Sequence, residues 1–265
     1  MKDITLGQYY PVDSVIHRLD PRTKLAGTLI YIIALFVAKG PFCYLLAAGF
    51  LFMVIRLSKV PVSYIVRGLK PIIMILAFSA AFNLFLVDGT PILRIWKLTI
   101  TVEGVLQAIY MALRLVFLIM GSSLMTFTTT PNQLTDGLES GLGWMNKIHV
   151  PVHEIAMMMS IALRFIPILV DETDKITKAQ TARGADFESG NLIRRVKSMI
   201  PLLVPLFISA FRRAADLAMA MEARCYQGGE GRTKMKPLRY TGLDMYGYLV
   251  LFAFLAAMII LQIFT

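Results

Sequence analysis

Five apolar runs, at 25–38, 42–55, 71–87, 104–127 and 245–264, alternate with polar and mostly basic segments along the 265 residues. A span needs about 20 apolar residues, and the first two runs reach that length only with their flanks. Between the fourth and fifth runs lies a different pattern. Residues 154–184 and 192–225 read as two long helices, each apolar in part and charged towards its ends. They are too charged to sit wholly in lipid and too apolar to be ordinary solvent-exposed helices. The expected architecture is all-α. It comprises a membrane domain of four spans over 1–127, a cytoplasmic segment of long crossed helices over 128–240, and a last transmembrane helix over 241–265.

Local signals sharpen the boundaries. Asp20-Pro21 predicts a helix start, with Asp20 as N-cap and Pro21 in the first helical position. Thr128-Thr129-Thr130-Pro131 predicts a stop and a restart. A short amphipathic helix follows, with Leu134, Leu138 and Leu142 four residues apart. Pro167 predicts a kink in the first long helix, and Pro201 and Pro205 bend the second. Asp171 with Lys175, and Asp174 with Lys178, have the acid-before-base spacing of an exposed helix; Arg212 and Asp216 pair on the second. Ala210, Ala214 and Ala218 recur every fourth residue, a spacing that lets helices approach closely. That alanine row is the expected crossing face of the two long helices.

Charge then sets the orientation. The chain carries 27 Lys and Arg against 17 Asp and Glu, a net charge of +10. In a soluble protein this would suggest nucleic acid, but aromatic residues are not interleaved with the basic ones. Cytoplasmic loops of membrane proteins carry such an excess. Arg18, Arg22 and Lys24 precede the first run, and Arg56, Lys59, Arg67 and Lys70 follow the second. Residues 128–240 hold fifteen basic and eleven acidic residues. All three segments fall on one side, giving five spans, an inside N-terminus and an outside C-terminus. No secretory signal is read at the start of the chain, and Cys43 and Cys225 are not expected to meet as a disulfide.

Candidate chemistry is sparse. There is no phosphate-binding glycine loop, no nucleophile elbow and no paired catalytic carboxylates, so neither nucleotide hydrolysis nor another enzymatic activity is expected. His149 and His153 bracket Pro151 without a zinc-binding helix pattern, so no metal site is expected. Arg114 lies within the fourth run, and an ionisable residue there is a flag for function. It opens an alternative reading, a stand-alone secondary carrier with Arg114 in its pathway, although no inverted repeat accompanies it. Arg183 and Arg224 each follow alanine at the end of a long helix. A lone arginine there suits the helix dipole. As a pair on one side of the membrane, they offer two permanently charged, forked donors for acidic groups of a partner. Met157, Met158, Met159, Met219 and Met221 flank this region with adaptable apolar surface.

Taken in order, the motifs resemble one family over almost the whole chain. They are His17-Arg18-Leu19-Asp20-Pro21-Arg22-Thr23-Lys24-Leu25, Thr128-Thr129-Thr130-Pro131, Ala162-Leu163-Arg164-Phe165-Ile166-Pro167, Ala179-Gln180-Thr181-Ala182-Arg183-Gly184-Ala185 and Ala218-Met219-Ala220-Met221-Glu222-Ala223-Arg224-Cys225-Tyr226. The chain is similar to the transmembrane T component of energy-coupling factor transporters, the EcfT/CbiQ family. The resemblance implies a multi-pass protein of a bacterial or archaeal plasma membrane. It implies a non-catalytic subunit without a cofactor of its own, ATP being bound by two ATP-binding-cassette partners. Ala182, Arg183 and Gly184 would dock on one ATPase, and Ala223, Arg224 and Cys225 on the other. Met157, Met158, Met159, Leu134 and Leu138 would support a small membrane S component that binds a vitamin or metal ion and topples to release it.

Overall fold

The computed structural model describes residues 8–86, 90–95, 98–185, 187, 193, 197–229, 235 and 237–264. The helices in chain order are α1 (Val15–Arg18), α2 (Pro21–Val37), α3 (Pro41–Ser58), α4 (Val62–Arg67), α5 (Ile73–Leu86), α6 (Val102–Thr128), α7 (Pro131–Gly141), α8 (Val152–Ala182), α9 (Ile200–Glu222) and α10 (Gly242–Phe264). The fold is that of an all-α polytopic membrane protein. One short antiparallel ribbon joins α5 to α6, with β1 (Pro91–Ile95) pairing β2 (Leu98–Thr101) in the register Leu93 to Ile100 and Ile95 to Leu98. The alternation of apolar residues at 98, 100 and 102 is its trace in the sequence.

Five described helical stretches are long and apolar enough to cross a membrane: Pro41–Ser58, Val62–Leu84, Val102–Thr128, Val152–Ala182 and Gly242–Phe264. Four of them carry apolar runs of the sequence. The first run forms α2, whose 17 residues reach the lower limit for a span. The fifth stretch is α8. Its half before Asp171 is apolar, and its half from Asp171 onward is charged.

The residues divide into two compact units, 8–138 with 238–264, and 139–237. In the first unit the core lies where α2, α3, α6 and α10 meet. Tyr31, Leu35, Ala47, Leu51, Leu124 and Phe254 are buried there. Phe50 stacks on Phe254 at 4.2 Å between centroids, and Tyr31 stacks beside both. A side chain at Gly121 would collide with the Tyr31 ring, so the glycine admits α2 against α6. The outward faces of α3, α5 and α10 carry exposed Phe, Leu, Ile and Met, as a lipid-facing surface requires.

One polar knot ties the helix ends of this unit together. Asp20 caps α2, its carboxylate accepting from Arg22 N at 2.9 Å and from the Arg22 guanidinium. The Asp20 backbone N–H donates to Asp244 Oδ1 at 2.7 Å. Asp244 Oδ2 accepts from Thr241 N and Thr241 Oγ1, both at 2.7 Å, closing the first turn of α10. Lys24 Nζ donates to the carbonyls of Thr128 (2.8 Å) and His17 (3.0 Å), which holds the end of α6 against the start of α2. Arg22 lies over the Tyr240 ring. Thr130 and Gln133 form a reciprocal capping box at the start of α7, and Gly137 brings α7 close to Pro21 and Leu25. The helix ends gathered here belong to the segments rich in Lys and Arg, which the charge pattern leads one to expect on the cytoplasmic side.

Candidate functional site

The two arginine-bearing helix ends close in the same way. At the end of α8, the Ala185 N–H donates to the Gln180 carbonyl (3.0 Å) and the Gly184 N–H to the Thr181 carbonyl (2.9 Å), with Gly184 at φ +87°. At the end of α9, Tyr226 N–H donates to Met221 O (3.1 Å) and Cys225 N–H to Glu222 O (2.9 Å), with Cys225 at φ +56°. Both are Schellman closures, a six-to-one bond around a five-to-two bond. Arg183 and Arg224 take the same place in each, one residue before the left-handed position. Both are exposed, as are Ala182 and Ala223. Glycine takes the left-handed conformation freely, whereas cysteine takes it at a cost. The chain therefore builds one geometry twice from different residues.

A cross-link between the long helices shows which way they run. Arg213 on α9 donates to Glu172 on α8 at 3.1 Å. Further along, Tyr226 Oη donates to Met157 Sδ at 3.1 Å. The residue beyond the end of α9 thus meets the earlier residue of α8, so the pair is antiparallel. Arg183 lies eleven residues past Glu172, and Arg224 lies eleven residues past Arg213. At 1.5 Å per residue each tip stands about 16 Å from the clasp along its own helix, in opposite directions. Consequently the two arginines occupy the two ends of the pair, roughly 30 Å apart.

Other expected residues land less simply. On α9 the positions drawn inwards are Leu202, Pro205, Leu206, Ser209, Ala210, Arg213, Leu217 and Met221. Ala214 and Ala218 are exposed, and only Ala210 is half-buried. The crossing stripe therefore runs through Leu206, Arg213 and Leu217 rather than along the alanine row. Larger apolar side chains bury more area at a half-buried contact, and burial decided the face over close approach. The opposite side of α9 carries an exposed apolar seam that spacing arguments overlooked: Ile200, Leu203, Val204, Phe207, Ile208 and Phe211. Its recurrence at three and four residues is readable in the sequence.

Met158 and Met159 are exposed, while Met157 is half-buried with its sulfur engaged by Tyr226. Leu134 and Leu138 are half-buried on α7, whose Thr135 and Gly137 are buried. His149 is exposed at φ +59°, and His153 Nδ1 lies 2.8 Å from Glu139 Oε1. A side chain at Gly229 would collide with the His153 ring, so the segment after the second tip packs on the base of α8. Among the described residues no His, Cys, Asp and Glu group is arranged to hold a metal ion. No ion pair is recorded between Asp171 and Lys175, Asp174 and Lys178, or Arg212 and Asp216. The bridging pair is instead Arg213 with Glu172. Arg194 and Arg195, expected in the second helix, lie outside the described residues.

Arg114 has a structural task. Its Nη2 donates to the carbonyl of Ala38, the residue that ends α2, at 3.0 Å. A cation at a helix C-terminus also opposes the dipole there. Lys24 meets Thr128 at one end of the α2–α6 pair and Arg114 meets Ala38 at the other. Arg114 therefore stands beside the C-terminal end of α2, near the middle of the length of α6.

The family model described as cobalt transport protein, CbiQ, matches residues 13–235. The chain belongs to the EcfT/CbiQ family. It is 57% identical to the energy-coupling factor transporter transmembrane protein EcfT of Clostridium kluyveri over 246 residues, 92% of this chain and 91% of that one. The protein of the same name from Acidaminococcus fermentans is 53% identical over 262 residues, covering 96% and 97%. That from Bacillus subtilis is 49% identical over 245 residues, covering 92% of each. The chain is accordingly a transmembrane component of an energy-coupling factor transporter in a bacterial membrane, and the arginine-tipped pair belongs to a transport protein.

Proposed function

We propose that the α8–α9 pair couples two ATP-binding-cassette ATPases to a small substrate-binding membrane protein during import of a vitamin or metal ion. This chain has no catalysis and binds no cofactor in that scheme; its partners bind and hydrolyse ATP. Arg183 docks on one ATPase and Arg224 on the other. The reading is carried by one observation: two exposed arginines sit in identical helix closures at opposite ends of a single clasped pair. A guanidinium offers a planar fork to a carboxylate, so each tip suits an acidic groove. The exposed apolar seam of α9 and the exposed Met158 and Met159 give the membrane partner an adaptable surface. Movement of the ATPases changes the contacts at both tips, and the helix pair carries that change to the partner resting on it.

The test is the pair of substitutions Arg183→Ala and Arg224→Ala, made singly and together. The double variant is expected to insert in the membrane, to lose co-purification with the two ATPases, and to lose transport. Each single variant is expected to weaken retention of one ATPase. Full transport by the double variant would remove the role assigned to the arginines. Solute movement by the chain reconstituted alone would favour the secondary carrier.

A further inference from the structure

An apolar groove opens in the first unit, between α1, α2, α3, α6 and α10. It encloses about 280 Å³. Tyr31, Leu51, Val54, Leu124 and Leu251 form its wall, and exposed Met53, Leu57, Leu243 and Tyr246 lie along its mouth. These residues occupy the first turns of α2 and α10 and the last turns of α3 and α6, so the groove lies in the cytoplasmic half of the bilayer. From Thr23 to Tyr31 it runs about 12 Å along α2. Phe50, Met53 and Val250 also line a second, shallower trough that continues between α3 and α10 towards Phe42 and Leu261. There Gly49 has open space where a side chain would stand. A hydrocarbon chain entering sideways from the bilayer would meet apolar surface throughout.

At its cytoplasmic end one cation lines the groove, and two more, Arg56 and Lys59, stand outside its lining at the end of α3. Lys24 lines it, 7% exposed, with its ammonium bonded to two backbone carbonyls and no carboxylate in an ion pair with it. Asp20 and Asp244, the nearby acids, are occupied by Arg22 and by backbone and hydroxyl donors. Arg56 and Lys59 follow Met53 and Leu57 at the end of α3. Among the described residues, Arg56 lies over the Phe52 ring and forms no ion pair, and Lys59 Nζ reaches the Asp13 carbonyl at 3.4 Å. The Asp13 carboxylate is taken by Arg18. From Pro21 to Val87 the chain has seven Lys and Arg and no Asp or Glu. Basic pockets between helices at the cytoplasmic face suit anionic lipid headgroups.

We propose that this groove holds an acyl chain of one anionic glycerophospholipid of the inner leaflet, with the phosphate of its headgroup against Arg56 and Lys59. The apolar wall fits the chain, and the cations beyond its lining, on the exposed surface at the end of α3, fit a headgroup that stands outside the groove. Such a lipid fills the gap between α3 and α10.

The full chain, purified in detergent and stripped of lipid, is titrated with dioleoylphosphatidylglycerol, dioleoylphosphatidylcholine or oleate. Bound lipid is counted by native mass spectrometry. One phosphatidylglycerol is expected to stay bound under conditions that release the other two. Arg56→Ala with Lys59→Ala is expected to weaken it about thirty-fold, while Arg56→Lys with Lys59→Arg retains it. Val54→Trp fills the groove and is expected to abolish retention with the cationic rim intact. Equal retention of phosphatidylcholine would mark an unspecific lipid annulus and overturn the proposal. Equal retention of oleate would overturn the assignment to a glycerophospholipid. Undiminished binding by the double alanine variant would also sink it, whatever the folding of the tryptophan variant.

Discussion

Asp244 offers a stability effect that can be worked from a single side chain. It is 1% exposed and accepts three hydrogen bonds, each at 2.7 Å: from Asp20 N, Thr241 N and Thr241 Oγ1. Asp244→Ala leaves the buried Asp20 N–H, on the cap residue of α2, without its acceptor, whereas the Thr241 donors it also loses are on an exposed residue and can turn to water. An unsatisfied buried donor costs about 1–3 kcal/mol. Against this, the variant no longer buries a carboxylate, which returns part of the loss. A net cost of about 2–3 kcal/mol follows, mostly from the buried donor and the rest from the lost capping contact. For a chain of this size that is a fall in Tm of about 5–10 °C. Asp244→Asn keeps one carbonyl acceptor but sets its NH2 among donors, so about half the fall is expected. Thermal unfolding of the purified full chain in detergent, followed by near-ultraviolet circular dichroism, reads the shift. A change below about 2 °C for the alanine variant would refute the view that this carboxylate joins the starts of α2 and α10.

The clasp and the two closures yield further expectations. Glu172→Arg or Arg213→Glu alone should cost no more than about 1 kcal/mol, because the pair is partly exposed at 26% and 37%. The two together should restore the contact with reversed charges and recover transport coupled to ATP hydrolysis; a swap no better than either single change would deny the clasp a role. Gly184→Ala forces a β-carbon into a left-handed position and should fray the α8 tip by about 1 kcal/mol, seen as faster amide exchange at Gly184 and Ala185. Cys225→Gly should slow exchange at Cys225 and Tyr226, and unchanged exchange in both variants would mean that the left-handed residues carry no strain.

What was legible in the sequence was chiefly what depends on neighbours in the chain. Asp20-Pro21 announces the start of α2, because an N-cap and a fixed φ act locally. Thr130-Pro131 announces α7 for the same reason. The ends expected at 184 and 225 lie two and three residues past Ala182 and Glu222, since alanine, arginine and a left-handed residue close a helix wherever they occur. Partnerships between distant residues were not legible. Arg114 stands inside an apolar run, and only the length of α2 puts Ala38 beside it. Nothing in the spacing of α9 tells Arg212 from Arg213; the choice follows from which face meets α8. The alanine row has the period of a close crossing, yet two of its three members face outwards because leucine at neighbouring positions buries more apolar area. Likewise the motif around Asp20 and Lys24 helped to identify the family, but its side chains serve the packing of helix ends.

The positions of the prolines explain how one helix pair can serve two tips. Pro167 interrupts α8 five residues before Glu172, and Pro205 interrupts α9 eight residues before Arg213. Each proline removes a backbone donor and weakens its helix locally. Both stand on the near side of the clasp in their own chain direction. Beyond it, the segments from Glu172 to Arg183 and from Arg213 to Arg224 contain no proline. Because the helices are antiparallel, each end of the pair has one uninterrupted arm bearing an arginine. Alongside it runs the proline-bearing half of the other helix. The arms have equal length, and Arg213 and Glu172 join them at their roots. A pull on either arginine therefore reaches the clasp through about three unbroken helical turns. The compliant segments lie where the partner helix can support them, and the stiff segments lie where the load would enter in the proposed coupling.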